Sequence, residues 1–102
     1  MSEMEYYAGT IKSTRKTLEE FTGFEDPPLG YDSLLEYFKE EYYGLAMLID
    51  DVVFTIDAKE VDAYRMNVVK ISNTVYEFNG GFYNGGGDLQ EVLTNAVKRA
   101  NK

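Results

Sequence analysis

Residues 44–57, GLAMLIDDVVFTID, constrain this chain more than any other stretch. With Asp50-Asp51 as a two-residue turn, the flanks fold back so that Ile49 meets Val52, Met47 meets Phe54 and Leu45 meets Ile56. Side chains alternate along a strand, so this register gathers six large apolar side chains on one face. The other face, Ala46, Leu48, Val53 and Thr55, is milder and is expected to be partly covered. Asp-Asp is a weaker turn pair than Asn-Gly, because neither residue takes positive φ as freely as glycine. One continuous strand is the competing reading.

A lid for the apolar face follows at the far end of the sequence. From Asp88 onward, Leu89, Val92, Leu93, Ala96, Val97 and Ala100 recur with the period of an amphipathic helix. Asp88 as N-cap with Glu91 forms a capping box, and Lys98, Arg99 and Lys102 sit where the helix dipole favours cations. This helix should bury the face carrying Met47, Phe54 and Ile56. A second helix is expected over residues 33–43, with Asp32 or Ser33 as N-cap and Glu36 completing a capping box. Leu34, Leu35, Phe38 and Tyr42 make its apolar stripe, and Gly44 stops it.

The remaining segments carry weaker signals. Ile11, Leu18 and Phe21 have approximate helical spacing, with Thr10 or Ser13 as cap and Gly23 as stop; an edge strand over residues 6–11 competes with that helix. Pro27-Pro28 cannot continue a helix, which makes residues 25–31 a connector. Residues 58–63 read as a polar link, with a single helical turn as the alternative. Residues 64–71 and 75–78 read as two strands around Asn73-Thr74, pairing Ile71 with Tyr76, Lys70 with Glu77 and Val69 with Phe78. Asn79-Gly80 is a further turn signal, with residues 81–83 returning as a short edge segment. The expected fold is a single α+β domain over residues 1–102: N-terminal helix or helices, a three- to four-stranded antiparallel β-meander, and a C-terminal amphipathic helix packed on the sheet.

Composition narrows the chemistry. The chain is 44% apolar with nine Tyr and six Phe, which argues for a folded domain. It has no His and no Cys, which removes the neutral-pH general base and the thiolate nucleophile, and Ser13, Ser33 and Ser72 carry no activating motif. An enzyme is not expected, nor a cofactor. The glycine-rich run at residues 79–88, NGGFYNGGGD, lacks the Gly-Lys-Ser/Thr ending of a phosphate loop, and Asp88 puts a carboxylate where a phosphate would sit. It is read as a loop displaying Phe82 and Tyr83. Asp57, Glu60 and Asp62, with Asp50 and Asp51 nearby, lack the alternation and central glycine of a calcium loop, so a solvated link is expected there. The N-terminus has no basic-then-apolar leader and no window approaches a membrane span, so a soluble cytoplasmic protein with no membrane partner is expected.

Charge supplies the functional lead. The net charge is −8, and residues 19–62 alone carry thirteen acids against two bases. Such a block repels nucleic-acid phosphates and attracts basic proteins. At its centre lies Glu36-Tyr37-Phe38-Lys39-Glu40-Glu41-Tyr42-Tyr43, where a helix interleaving carboxylates with phenols can space negative charge like a phosphate backbone while tyrosines anchor an interface. The expected partner-binding residues are Glu36, Glu40, Glu41, Tyr43, Asp50 and Asp51, and the expected partner is a basic protein, a nucleic-acid-binding enzyme. In size, charge, lack of cysteine and helix-sheet-helix order the chain resembles the small acidic inhibitors that phages and mobile elements make against host nucleic-acid enzymes, including DNA mimics and some anti-CRISPR proteins. That resemblance implies a stoichiometric inhibitor that blocks a basic groove in the host cytoplasm. An immunity protein or antitoxin covering a basic nuclease uses the same physics. A homo-oligomer pairing through a free edge strand, residues 64–71, belongs to a different class.

Overall fold

The computed structural model describes residues 4–62, 67–83 and 89–102. In chain order the elements are β1 (Met4–Ser13), α1 (Leu18–Thr22), α2 (Leu34–Glu41), β2 (Ala46–Ile49), β3 (Val52–Glu60), β4 (Asn67–Lys70), β5 (Val75–Tyr83) and α3 (Leu89–Ala100). The protein is α+β: the five strands form one antiparallel sheet in the order β2-β3-β1-β5-β4, and α3 packs on it.

The central hairpin forms at the expected place. Asp50 and Asp51 have φ of 50° and 65°, the left-handed pair that a two-residue turn between twisted strands requires. Ile49 pairs with Val52 and Met47 with Phe54. Leu45 still meets Ile56, whose N–H its carbonyl accepts at 2.7 Å, but its side chain, in the turn before β2, is 62% exposed. The milder face is better covered than its composition suggests: Ala46 and Val53 are buried with Leu18, Leu34 and Phe38 beneath α1 and α2.

The N-terminal segment corrects the sequence reading most. Residues 4–13 are a strand, as the competing reading of residues 6–11 had it, but not an edge; β1 is the middle strand, paired with β3 from Tyr7↔Glu60 to Ser13↔Phe54 and with β5 from Met4↔Tyr83 to Lys12↔Val75. Ile11 is fully buried on the α3 face, while Leu18 belongs to the opposite layer, so their helix-like spacing joins two separate cores. Thr10 and Ser13 cap nothing. The chain leaves the sheet through Arg15, at φ 58°, and Thr17 caps α1 by accepting the Glu20 N–H at 3.3 Å. Gly23 ends α1 as expected, in the left-handed conformation.

β1 also explains the errors at residues 58–60 and 79–83. A polar run reads as a link and Asn-Gly as a turn, yet both are drawn into strands because β1 offers backbone partners along its length. The meander is therefore interrupted, with β1 inserted between β3 and β5. Between β4 and β5 the register is one residue away from the expected one: Lys70 faces Tyr76, Val69 faces Glu77 and Val68 faces Phe78. A three-residue loop sets it, with Ile71 donating to the Val75 carbonyl at 2.9 Å and the Ser72 hydroxyl accepting from Thr74 N–H at 3.3 Å. A one-residue slip exchanges faces, so Val68 joins the core while Val69 and Ile71 stay exposed.

Two apolar layers result. Ile11, Met47, Phe54, Ile56, Tyr76 and Phe78 meet Leu93 and Val97 of α3 on one side. On the other, α1 and α2 cover only the β2-β3 half of the sheet. Ser33 caps α2 by accepting Glu36 N–H at 3.1 Å, but Leu35, expected in its apolar stripe, is 40% exposed. The expected Asp88 cap and the display of Phe82 and Tyr83 lie outside the described residues and side chains. Among the described residues no helix is long and apolar enough to cross a membrane.

Candidate partner-binding surface

Residues 17–45, which form α1, α2 and their connector, contain eight carboxylates and one base, Lys39. All eight side chains are exposed. The two short helices stack on one half of one sheet face, so this acidic charge lies in a single layer, opposite the face covered by α3. α3 and the residues after it carry Glu91 against Lys98, Arg99 and Lys102. The sheet therefore separates a strongly acidic layer from a mildly basic one.

Glu36 and Glu40 lie one helical turn apart on α2 and so share a face. Glu36 also accepts the Asp32 N–H at 3.3 Å, which ties it to the start of the helix. Glu41 accepts the Tyr31 hydroxyl at 2.6 Å. Tyr43 is 55% exposed in the turn after α2. Asp50 and Asp51 are exposed but stand at the hairpin tip, at the far end of β2, so a strand of about 13 Å separates them from that turn. The expected site is thus one group of three carboxylates with Tyr43, and a second group of two.

Sequence reasoning missed what lies between the carboxylates. Tyr37 makes edge contacts with Phe24 at 5.6 Å, Tyr31 at 5.1 Å and Tyr42 at 6.4 Å, and Phe21 bridges Tyr42 and Phe38 at 5.1 and 6.2 Å. These rings form a continuous sheath in which Phe24 is 43% exposed. Beside it the connector makes a turn closed by Tyr31 N–H to the Pro28 carbonyl at 3.2 Å, with Gly30 at φ 101°, the position where such a turn favours glycine. Its other central residue, Leu29, is fully exposed. The repeated spacing of aromatics from Phe21 to Tyr43 was the available signal for this sheath; nothing local marked Leu29.

Electrostatics in the layer are those of neutral phenols beside carboxylates. The hydrogen bond to Glu41 pushes the Tyr31 phenol up to about 12, and desolvation raises the Tyr37 phenol. Near neutral pH both remain O–H donors set among acceptors. Asp57 and Glu60 alternate to opposite faces of β3, and among the described residues no group of three or more acidic side chains is arranged to hold a metal ion.

No family model, no curated protein and no solved structure matches this chain.

Proposed function

We propose that the chain is a stoichiometric protein-binding inhibitor whose acidic α1-α2 layer docks into a basic groove, of the kind that holds a nucleic-acid backbone. The observation that carries this reading is the gathering of eight exposed carboxylates and one base in a single layer around an aromatic sheath. Carboxylates at the rim steer a basic partner, and Phe24, Tyr37 and Tyr43 supply the rigid aromatic area that anchors interfaces. Asp50 and Asp51 extend the acidic surface at the hairpin tip.

The test uses two baits against lysate of the source cell: the native chain, and one with Glu36→Gln, Glu40→Gln, Glu41→Gln, Asp50→Asn and Asp51→Asn. Glutamine at position 36 keeps an acceptor for the helix start. The reading requires a basic nucleic-acid enzyme that binds the native bait at low salt, is released by high salt or by added duplex, and ignores the altered bait. Equal capture by both baits, or a complex indifferent to salt, would remove it.

A further inference from the structure

The two edges of the sheet differ. In β2 the hairpin closes on the Ile49-Val52 pair, so alternation turns the backbone groups of Ala46 and Leu48 outward. Ala46 is closed on both counts: its N–H donates to the Tyr42 carbonyl at 3.2 Å and its carbonyl accepts the Gln90 side-chain amide. Beyond Leu48 the edge is flanked by side chains of α2 and α3, including Leu35, Lys39, Glu91 and Thr94. Little of that edge is open to another chain.

β4 is built the opposite way. Its hairpin closes with Ile71 N–H on the Val75 carbonyl, so the same alternation turns the N–H and C=O groups of Val68 and Lys70 away from β5. Among the described residues no strand lies beyond them. Beneath this edge, on the α3 side, is a recess of about 260 Å³ lined by Asn67, Val68, Ala96, Arg99 and Ala100. Lys70 projects to the same side as Val68, by the period of the strand. On the other side of β4, Val69 and Ile71 are 46% and 53% exposed. The edge thus offers two donors and two acceptors, cations on one side and apolar side chains on the other.

We propose that the β4 edge binds an extended acidic segment of another protein as a sixth strand. Alternate residues of that segment would face opposite sides: carboxylates toward Lys70 and Arg99, apolar side chains toward Val69 and Ile71. A second copy of this chain fits poorly, because two-fold pairing through β4 sets two Lys70 and two Arg99 side chains on one side of the joined sheet. The surface is separate from the acidic layer and of opposite sign, and it stands whether or not that layer binds a basic groove.

The test is an amide-resolved NMR titration of the full chain with a capped hexapeptide alternating glutamate and valine. Shifts should centre on the Val68 and Lys70 amides, and Lys70→Glu or Arg99→Glu should weaken binding at least about tenfold. Lys70→Gln, a milder change at an exposed position, should weaken it less, and N-methylation of alternate peptide residues should abolish it. Absence of shifts at Val68 and Lys70, or equal binding of a lysine-valine hexapeptide, overturns the proposal. So does a concentration-dependent dimer that forms through the same amides without peptide, because the edge then belongs to a second copy.

Discussion

The side-chain amide of Gln90, on α3, donates to the carbonyl of Ala46 on the edge strand β2 and, at 3.0 Å, to the carbonyl of Tyr42. A polar residue only 4% exposed thereby holds the end of a helix against the end of a sheet. Gln90→Leu keeps most of the volume and removes the donor. It should cost about 2 kcal/mol, the usual penalty for stripping a buried acceptor of its partner. Urea unfolding should show a lower midpoint with an unchanged slope. Gln90→Glu, which has no hydrogen to donate when ionised, should be at least as damaging at neutral pH; an unchanged midpoint in both variants would falsify the role assigned to this contact.

Gly9 faces a different constraint. A Cβ there would collide with the Asp57 carbonyl oxygen and stand 2.7 Å from the Ala58 Cα, both backbone atoms of the neighbouring strand. Because β1 is paired on both sides, it cannot move away from β3 without straining β5. Gly9→Ala should therefore destabilise by about 3 kcal/mol, the upper part of the range for overpacking. Thermal unfolding measures it, and a loss below about 0.5 kcal/mol, within the scatter of surface changes, would show that the strands separate freely there.

At the hairpin tip the strain runs the other way. Asp51 holds φ 65°, a conformation that glycine adopts without steric cost. Relief of about 1–2 kcal/mol of left-handed strain outweighs the about 0.4–1 kcal/mol that glycine adds in unfolded-chain freedom, so Asp51→Gly should raise stability by up to about 1 kcal/mol, moving Tm by a few degrees. If the proposed partner complex weakens in the same variant, stability and binding separate at one residue, and the weakening reports the lost carboxylate.

Tyr31 provides a pH test. Its phenol titrates at about 12 instead of the ordinary 10, chiefly because its O–H is donated to Glu41. The folded-state value is raised, so the contribution is fully present below pH 10 and is lost as pH rises from 10 through about 12. Near pH 7 no dependence on this group is expected. Ultraviolet titration should show a late-titrating component that Tyr31→Phe removes and Glu41→Gln moves back toward 10, whereas the raised Tyr37 and Tyr7 phenols persist in both variants. A Tyr31 component unaffected by Glu41→Gln would place its cause elsewhere.

Much of the candidate surface was legible because charge is local: Glu36, Glu40 and Glu41 are exposed on α2, where the capping box and apolar stripe put them. The link from Tyr31 to Glu41 was not, since it joins a connector to a helix end ten residues away. Leu29 was equally hidden, because a leucine between turn residues gives no sign of which way its side chain will point. Phe24 owes its place to an edge contact with Tyr37, thirteen residues away, which no local pattern announces.

The sequence by itself determined the elements whose stabilising contacts are periodic and near in the chain: the hairpin around Asp50-Asp51, the stripe of Leu93, Ala96 and Val97 on α3, and the Ser33 cap of α2. Tertiary structure alone decided that β1 is the central strand, that residues 58–60 and 79–83 extend its neighbours, and that Val68 instead of Val69 faces the core. The physical reason is that backbone hydrogen bonding carries no residue identity. A polar or glycine-bearing run pairs as well as an apolar one when a strand lies beside it, and only the assembled sheet puts that strand there.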